Sequence, residues 1–529
     1  MEADIIKLNP ESWIDTGVPA SDKSFGEKMD MRECGMLLPI FSLPSKYGIG
    51  AFSKEAYEFV DFLEKAGQRY WQILPLGPTG YGDSPYQSFS AFAGNPLFID
   101  LEQLTEEGLL TEKECQKADF GDDSRSVYYG KVHAGKKSLL KIAYKNWKEK
   151  EHLDSLEKVH EKAREQLMED TVEYCFYMAL REKFEEKEWT KWEEKIRLRH
   201  PEAMEYYRKE LADEIGFHEF LQLTFTEQWK KLRTYANDKG ICIIGDIPIY
   251  VSFDSADAWA HPEMFQFEDN GTPKAVAGCP PDAFSETGQL WGNPLYDWGY
   301  HEKTGFGWWI RRTDYSFRLY DVVRIDHFRG FDEYYAIPYG EKTAVNGRWE
   351  KGPGMKLFQT LKGWFGELSV IAEDLGTLTP SVFELLETSG FPGMKILEFA
   401  FDASGSSAYL PHNYKNPNCV VYTGTHDNDT IQGWFEKLEG EDLQFTVEYA
   451  DIRPGETKSV NWTFIRLALS SIADLAIIPV QDYLGLGSDA RINEPATIGT
   501  NWKWRMLDKE LTGETAEKCR KMARLYGRY

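Results

Sequence analysis

Short apolar runs rich in β-branched residues recur along most of the chain, and each ends in a polar or acidic residue. Continuous apolar runs of this kind are typical of strands buried on both faces of a parallel sheet. The runs lie at 35–41, 70–76, 241–248, 321–326, 369–374, 393–401, 419–424 and 474–482. Periodicity alone gives roughly seven to nine strands. Eight, with helices between them, predict an α/β fold, a (β/α)8 TIM-type barrel rather than an open doubly wound sheet.

Helices can be placed between these runs from the signals at their ends. One begins at Ser53, a good N-cap, and stops at Gly67. A second begins at Thr226 and stops before Gly240. Further helices are predicted over 308–320, 380–388 and 458–473.

The two longest irregular stretches predict insertions on the barrel. About 160 residues separate the second and third strand candidates, too many for one crossover helix. Within them, 149–209 is dense in Glu and Lys with apolar residues at helical spacing, which predicts a mainly helical insertion. The stretch 252–300 is rich in Pro, Gly, Phe and Trp without a regular pattern, as expected of a long active-site loop region. We therefore divide the chain into 1–100 (start of the catalytic barrel), 101–225 (helical insertion subdomain) and 226–529 (remainder of the barrel).

The charge and aromatic content narrow the class of ligand. The 529-residue chain carries a formal net charge of −25. This charge repels phosphate backbones and anionic lipids, so we expect neither nucleic acid nor membrane as partner, whereas a neutral sugar is unaffected. Aromatic residues make up 14% of the chain. They can fill a large core or line a groove on which sugar rings stack, and composition does not choose between these roles.

Cysteine usage and the N-terminal segment indicate the compartment. The seven cysteines are scattered without a CxxC pair, so neither a zinc site nor a disulfide framework is predicted. The N-terminus lacks the apolar segment of a signal peptide, and no stretch of about 18 apolar residues occurs. We expect a cytoplasmic protein with reduced thiols, no metal and no cofactor.

Acidic residues follow several of the strand candidates. In barrels of this type, catalytic groups stand at the carboxyl ends of the strands. Those ends carry Asp246, Asp326, the pair Glu373-Asp374 and the pair His426-Asp427. A single acidic residue at a strand end is more often a helix cap, but several at one rim repel one another and indicate a site that uses them.

This set of acids fits the cleavage of glycosidic bonds with retention of configuration. That reaction needs a carboxylate nucleophile and a protonated carboxyl group. A short Asp suits the nucleophile, and a longer Glu suits the proton donor. Arg324 lies two residues before Asp326, so both point to one side of the strand, and the guanidinium can hold Asp326 ionised. His327 and His426 can donate to sugar hydroxyls.

Motifs for other chemistries do not occur. The sequence has no GxGxxG or GxxxxGK[ST] phosphate loop, no HExxH zinc helix and no GxSxG nucleophile elbow. The run Asp427-Asn428-Asp429 lacks the later Gly and Glu that an EF-hand calcium loop requires.

Six longer motifs carry a family resemblance. VVRIDHFRG (322–330), VIAEDLG (370–376) and YTGTHDN (422–428) resemble the amylomaltases, the bacterial and plant-type 4-α-glucanotransferases of the α-amylase superfamily. The segments 80–96, 243–251 and 278–294 are similar to the same family, and the match runs from about Met36 to NWKWR at 501–505. The resemblance implies eight barrel strands.

The resemblance also implies residue roles. Asp326 matches the nucleophile, Glu373 the general acid/base, and Asp427 the third carboxylate, which grips the distorted sugar. Arg324 and His426 match residues around the sugar in subsite −1. The remaining predicted substrate-binding residues are Asp246 (more structural than chemical), His327, Tyr86, Asp83, Ser84, Asn428 and, in the loop over the acceptor side, Asp282, Phe284, Gln289 and Trp291.

The expected partners are α-1,4-glucans (maltooligosaccharides, amylose, starch or glycogen) and glucose, and both a monomer and a dimer are compatible with the sequence. Two alternatives stay open. A hydrolase of the same superfamily would use the same acids with a wetter acceptor site. A non-catalytic glucan-binding protein would not need all three carboxylates.

Overall fold

The computed structural model describes residues 32–80, 82–153, 155–281, 285–376, 378–453, 455, 457 and 459–529. In these ranges the strands are β1 (Glu33–Leu37), β2 (Tyr70–Gln72), β3 (Cys242–Pro248), β4 (Ala275–Cys279), β5 (Gln289–Pro294), β6 (Val322–Asp326), β7 (Glu333–Pro338), β8 (Arg348–Lys351), β9 (Val370–Ala372), β10 (Gly393–Ile396), β11 (Cys419–Tyr422) and β12 (Leu475–Pro479). The α-helices are α1 (Lys54–Lys65), α2 (Leu101–Glu106), α3 (Glu112–Cys115), α4 (Tyr129–Lys150), α5 (Leu156–Gln166), α6 (Glu169–Lys183), α7 (Glu194–Arg197), α8 (Pro201–Glu210), α9 (Ala212–Asp238), α10 (Ala256–Ala260), α11 (Trp298–Lys303), α12 (Gly307–Leu319), α13 (Met355–Phe365), α14 (Pro380–Ser389), α15 (Ile431–Glu436), α16 (Gly440–Tyr449), α17 (Asn461–Ser470), α18 (Val480–Leu484) and α19 (Gly513–Leu525).

Eight of the strands form one parallel sheet, in the order β10, β11, β12, β1, β2, β3, β6 and β9. The amide of Ala372 in β9 donates to the carbonyl of Pro392, next to β10, at 2.9 Å, so the two edges meet and the sheet closes. Each of the eight predicted apolar runs overlaps one of these strands. The predicted (β/α)8 barrel is confirmed.

The barrel strands are apolar because both of their faces are covered. Every residue of β11 and β12 is buried. At Gly35 in β1 there is no room for a side chain, because a Cβ atom would lie 2.4 Å from the carbonyl oxygen of Tyr70 and 2.8 Å from Cδ1 of Ile477. Glycine there lets β1 approach both of its neighbours.

The predicted helix ends are confirmed where a glycine stops the helix. Gly67 follows α1 with φ +70°, and Gly390 follows α14 with φ +76°. The expected start at Thr226 is wrong, because α9 begins at Ala212 and runs on for 27 residues. A helix in which buried residues such as Leu221, Phe225 and Trp229 continue one face needs no cap in its middle.

Helices α2 to α9 fill the long stretch between β2 and β3. Its many charged residues make ion pairs between neighbouring segments: Glu173 of α6 pairs with Arg199 at 2.7 Å and with Arg208 of α8 at 2.6 Å. Because α9 crosses residue 225, the predicted subdomain boundary falls inside a continuous helix. The division into three parts stays a prediction. No helix in the described ranges is long and apolar enough to cross a membrane.

A second sheet stands over one side of the barrel and was not predicted. It is antiparallel, with the order β5, β4, β7 and β8. Strands β4 and β5 lie in the stretch 252–300, which is predicted to be irregular. They pair with each other, and β4 also pairs with β7, which follows β6. The sheet therefore joins the connections that follow barrel strands β3 and β6.

Candidate active site

Asp246, Arg324 and Asp326 form an ion-paired group at the carboxyl ends of two adjacent strands. Asp246 on β3 lies opposite Arg324 on β6 in the ladder. Arg324 Nη1 donates to both carboxylate oxygens of Asp246 at 2.8 and 2.7 Å, and to Oδ1 of Asp326 at 3.2 Å. The Asp246 and Arg324 side chains are buried, whereas Asp326 keeps 30% of its side-chain surface exposed. Asp326 is thus the member of the group that a ligand can reach.

Glu373 follows β9, on the other side of β6. Its carboxyl oxygens accept hydrogen bonds from the backbone amides of His327 at 2.7 Å and Leu375 at 2.9 Å. Its own amide donates to the carbonyl of Ile325 at 3.1 Å, which continues the pairing of the two strands to the rim. Because Asp326 lies between Ile325 and His327, these bonds hold the Glu373 carboxyl beside it.

The two carboxyl groups differ in proton affinity. Burial, with the negative Asp326 nearby and Arg324 opposing, raises the pKa of Glu373 to about 8. Burial, opposed by Arg324 and reinforced by Asp246 and Asp427, raises the pKa of Asp326 to about 6. Near neutral pH, Asp326 is therefore the ionised member and Glu373 the protonated member of the pair.

Asp427 lies on the turn that follows β11. Asn493 donates to its Oδ1 at 2.6 Å, and Arg491 donates to its carbonyl oxygen at 2.7 Å. Nε2 of His426 lies 3.3 Å from its Oδ2, and 43% of the Asp427 side-chain surface is exposed. Burial lowers the pKa of His426, so the imidazole beside this carboxylate is neutral.

Three rings line the rim next to these acids. The Tyr86 ring stacks on His426 with centroids 5.2 Å apart, and Trp502 lies 5.9 Å from Tyr86 and 6.0 Å from His426. The Tyr86 hydroxyl donates to Oδ2 of Asp246 at 2.9 Å. Burial and the charge of Asp246 raise the pKa of Tyr86 well above its usual value, so its hydroxyl keeps its proton. The segment that contains Tyr86 is thereby tied to the acidic group.

The second sheet places an aromatic residue on the opposite side. Trp291 of β5 meets the ring of His327 edge to face at 4.8 Å. Tyr250 lies 6.3 Å from Trp291 and 6.4 Å from His327. His327 has a left-handed backbone, with φ +56°, which turns the chain immediately after Asp326. Burial, reinforced by Arg329, lowers the pKa of His327 to about 3, so this ring is neutral.

The other predicted residues shape the surrounding turns. Oγ of Ser84 accepts from the amide of Tyr86 at 3.3 Å, and Asp83 adopts φ +58° in the same turn. Oδ1 of Asn428 accepts from the amide of Thr425 at 2.9 Å and so closes the turn that carries Asp427.

In the loop predicted to lie over the acceptor side, Oε1 of Gln289 accepts from Nε1 of Trp291 at 3.1 Å, which orients the indole. Asp282 and Phe284 lie outside the described residues.

Several rim residues were missed by the sequence analysis. Asn493 and Arg491 bind Asp427, Trp502 packs on His426, and Tyr250 packs on Trp291. Asn493, Arg491 and Trp502 follow β12, where the connection after a barrel strand reaches the same rim. Of the residues after β12, only the NWKWR motif at 501–505 carries a family signal in the sequence. Among the described residues, no group of three or more His, Cys, Asp and Glu is placed to hold a metal ion.

Comparisons with known proteins agree with this arrangement. The family model described as 4-alpha-glucanotransferase matches residues 38–511. The chain is 52% identical to a 4-alpha-glucanotransferase of Clostridium butyricum over 491 residues, 92% of this chain and 99% of that protein. It is 47% identical to one of Streptococcus pneumoniae over 502 residues, 94% of this chain and 98% of the relative.

A solved structure gives the same result in three dimensions. The fold superposes on an amylomaltase from Streptococcus agalactiae in complex with acarbose with a TM-score of 0.90 and 42% sequence identity. The superposition covers 94% of this chain and 99% of that one. With the barrel, the acidic rim and these relatives in agreement, the chain belongs to the 4-alpha-glucanotransferase family.

Proposed function

We propose that this 4-α-glucanotransferase transfers α-1,4-glucan segments from a donor to the 4-hydroxyl of an acceptor glucan or glucose by double displacement at Asp326 and Glu373. The observation that carries the proposal is the side-by-side placement of two carboxyl groups with opposite protonation preference. A retaining reaction needs one ionised and one protonated carboxyl group, and this pair supplies both near neutral pH.

In the first step, Glu373 gives its proton to the glucosidic oxygen while Asp326 attacks C1. The bond from C1 to that oxygen breaks, an ester between C1 and Asp326 forms, and the reducing-end fragment leaves with the proton. Arg324 keeps Asp326 ionised and correctly oriented before the attack. Asp427, held by Asn493, accepts hydrogen bonds from the sugar hydroxyls as the ring distorts.

In the second step, Glu373 acts as a base. It takes the proton from the 4-hydroxyl of the acceptor, whose oxygen attacks C1 and releases Asp326 as a carboxylate with net retention. Water in place of the acceptor would give hydrolysis. Trp291 and Gln289 on β5 supply an aromatic surface and a fixed polar group on the acceptor side, which favour a bound sugar over water.

We propose maltooligosaccharides and longer α-glucans as donors and the cytoplasm as the compartment. The neutral imidazoles of His327 and His426 and the neutral hydroxyl of Tyr86 suit an uncharged, hydroxyl-rich ligand. None of the seven cysteines, all of them in the described ranges, forms a disulfide, which fits a reducing compartment.

The test is incubation of the purified protein with maltotriose, with products separated by chain length and total reducing ends assayed alongside. Transfer yields glucose and a ladder of longer glucans at constant reducing ends. Rising reducing ends without elongation would identify a hydrolase instead. The Asp326→Asn variant, which removes the nucleophile but keeps the side-chain shape, is expected to lose the ladder and to retain the far-UV circular dichroism of the parent.

A further inference from the structure

A cavity of about 770 Å³ lies outside the catalytic rim. One wall comes from the helical stretch, with Trp189 and Arg197, and another from the segment before β4, with Phe267. The third comes from the start of α11, with Trp298, and from β7, with Tyr334. None of the three catalytic carboxylates lines it. Its volume is in the range of cavities that enclose small ligands.

Two half-buried aromatic rings face this cavity, and both are supported from behind. Phe267 stacks on Phe265 with centroids 5.5 Å apart, and Trp189 lies 6.3 Å away. Trp298 stacks on Trp309 at 5.9 Å with an angle of 23°. Rings fixed in this way keep a flat apolar face in place, which is the surface on which a sugar ring packs.

The polar lining is balanced in charge and includes an unused donor. The basic residues are Arg197, Arg199, Lys274 and Lys351, and the acidic residues are Glu263, Glu268, Asp269 and Asp297. Equal numbers of the two signs, in a chain of net charge −25, do not select an anion such as phosphate. Nε of Arg197 is buried without a hydrogen-bond partner, and Nη1 makes only a long contact of 3.5 Å with the carbonyl of Asn270. Arg197 also lines the cavity, so the outer nitrogens of its guanidinium can donate to a ligand hydroxyl.

The cavity is separated from the acceptor side of the active site by a layer of buried rings. Tyr250 contacts Trp291 at 6.3 Å and Tyr296 at 6.2 Å. Tyr296 in turn contacts Phe265 at 5.4 Å and Trp298 at 5.0 Å. Tyr250 and Tyr296 are both buried, so a ligand in the cavity does not reach the reacting carboxylates.

We infer that this cavity is an accessory binding site for α-glucan chains, which holds a branch of a long substrate while another part occupies the catalytic rim. The choice of an α-glucan as ligand rests on the proposed function. A short donor such as maltotriose would not span both sites. The accessory site therefore contributes to the binding of polymers and leaves turnover of trisaccharides unchanged.

The test compares the parent enzyme with Phe267→Ala and Arg197→Gln. Binding to glycogen is measured by retardation in glycogen-containing native gels, and KM is measured for glycogen and for maltotriose. Loss of one stacking contact is expected to weaken glycogen retardation and raise the glycogen KM by about two- to tenfold, with maltotriose kinetics within about twofold. Trp364→Ala is the matched control, because this indole is 41% exposed on α13 and does not line the cavity. It should behave as the parent.

Several outcomes would overturn the accessory site. One is unchanged glycogen binding in both variants. Another is an equal rise in KM for glycogen and maltotriose, which would make the cavity part of the catalytic groove. A third is inorganic phosphate binding that depends on Arg197 while glycogen binding does not. Arg197→Gln keeps the inference testable if Phe267→Ala fails to fold. Failure of the proposed function is recognised separately, because the parent enzyme would then not disproportionate maltotriose.

Discussion

At the scale of single residues, surroundings rather than residue type assign the chemistry at the rim. Asp326 and Glu373 are both carboxylic acids at one rim of the barrel, but Asp326 receives a guanidinium hydrogen bond from Arg324. Glu373 receives only neutral backbone N–H groups. A full positive charge stabilises a carboxylate more than peptide dipoles do, so the proton resides on Glu373.

The pH dependence follows from this difference. We expect kcat/KM for maltotriose to rise as pH increases through about 6, where Asp326 ionises, and to fall through about 8, where Glu373 loses its proton. Steady-state rates in constant-ionic-strength buffers from pH 4 to pH 10 measure both the rise at acidic pH (the acidic limb) and the fall at alkaline pH (the alkaline limb).

The Glu373→Gln variant provides the control for the alkaline limb. An amide loses no proton in this range. With an activated donor such as maltosyl fluoride, the fall of kcat/KM at alkaline pH should therefore vanish. With maltotriose the rate should fall about 10²- to 10⁴-fold. An alkaline limb that persists in this variant would contradict the assignment of the acid.

At the scale of elements, strand β5 carries the residues that we propose favour transfer over hydrolysis. It belongs to the antiparallel sheet, not to the barrel, and it brings Trp291 to 4.8 Å from the ring of His327. The strands next to Asp326 and Glu373 and the strand that carries the proposed acceptor surface therefore belong to two different sheets. Changes on β5 can alter the acceptor site without moving the acids.

The Trp291→Ala variant is expected to raise the ratio of hydrolysis to transfer several-fold while glucan cleavage continues. Removal of the indole takes away an apolar face for the acceptor and admits water. The measurement is the yield of new reducing ends relative to elongated oligomers from maltotriose. Phe383→Ala, at a site on α14 that is 53% exposed, is the control and should keep the parent ratio. An unchanged ratio in Trp291→Ala would remove β5 from the acceptor site.

At the scale of the whole molecule, the C-terminal segment is tied to the amino end of the barrel. Arg528 is fully buried. It donates to the carbonyls of Leu469 at 2.7 Å, Glu33 at 2.9 Å, Ala473 at 2.8 Å and Ser471 at 3.1 Å. Glu33 begins β1, so this link lies at the end of the barrel opposite the catalytic rim.

The Arg528→Met variant should therefore lose stability but not activity. Removal of the guanidinium leaves several buried carbonyls without donors, and we expect a loss of about 3 kcal/mol or more in the free energy of unfolding. Urea denaturation followed by tryptophan fluorescence measures it, and kcat/KM at 25 °C should match the parent. Arg524→Met, at an exposed position of α19, should change neither property. Loss of activity in a folded Arg528→Met enzyme would show that the two ends of the barrel are coupled.

The sequence by itself determined the barrel and the position of its acids. Strands buried on both faces must be continuously apolar, and the carboxyl ends of parallel strands meet at one rim. The strand pattern therefore places Asp246, Asp326 and Glu373 at one rim. The helix ends at Gly67 and Gly390 are also determined by local sequence, because they depend on the φ angle of the glycine itself.

Only the tertiary structure decided the features that depend on distant partners. Strands β4 and β5 are short and contain glycine, and they become strands because β7 pairs with β4 from about 60 residues further along. Asn493 reaches Asp427 across 66 positions. The proton on Glu373 depends on burial and on neighbouring charges. Local sequence encodes backbone preference and apolar pattern, whereas strand pairing, carboxylate contacts and proton affinity depend on groups that only folding brings together.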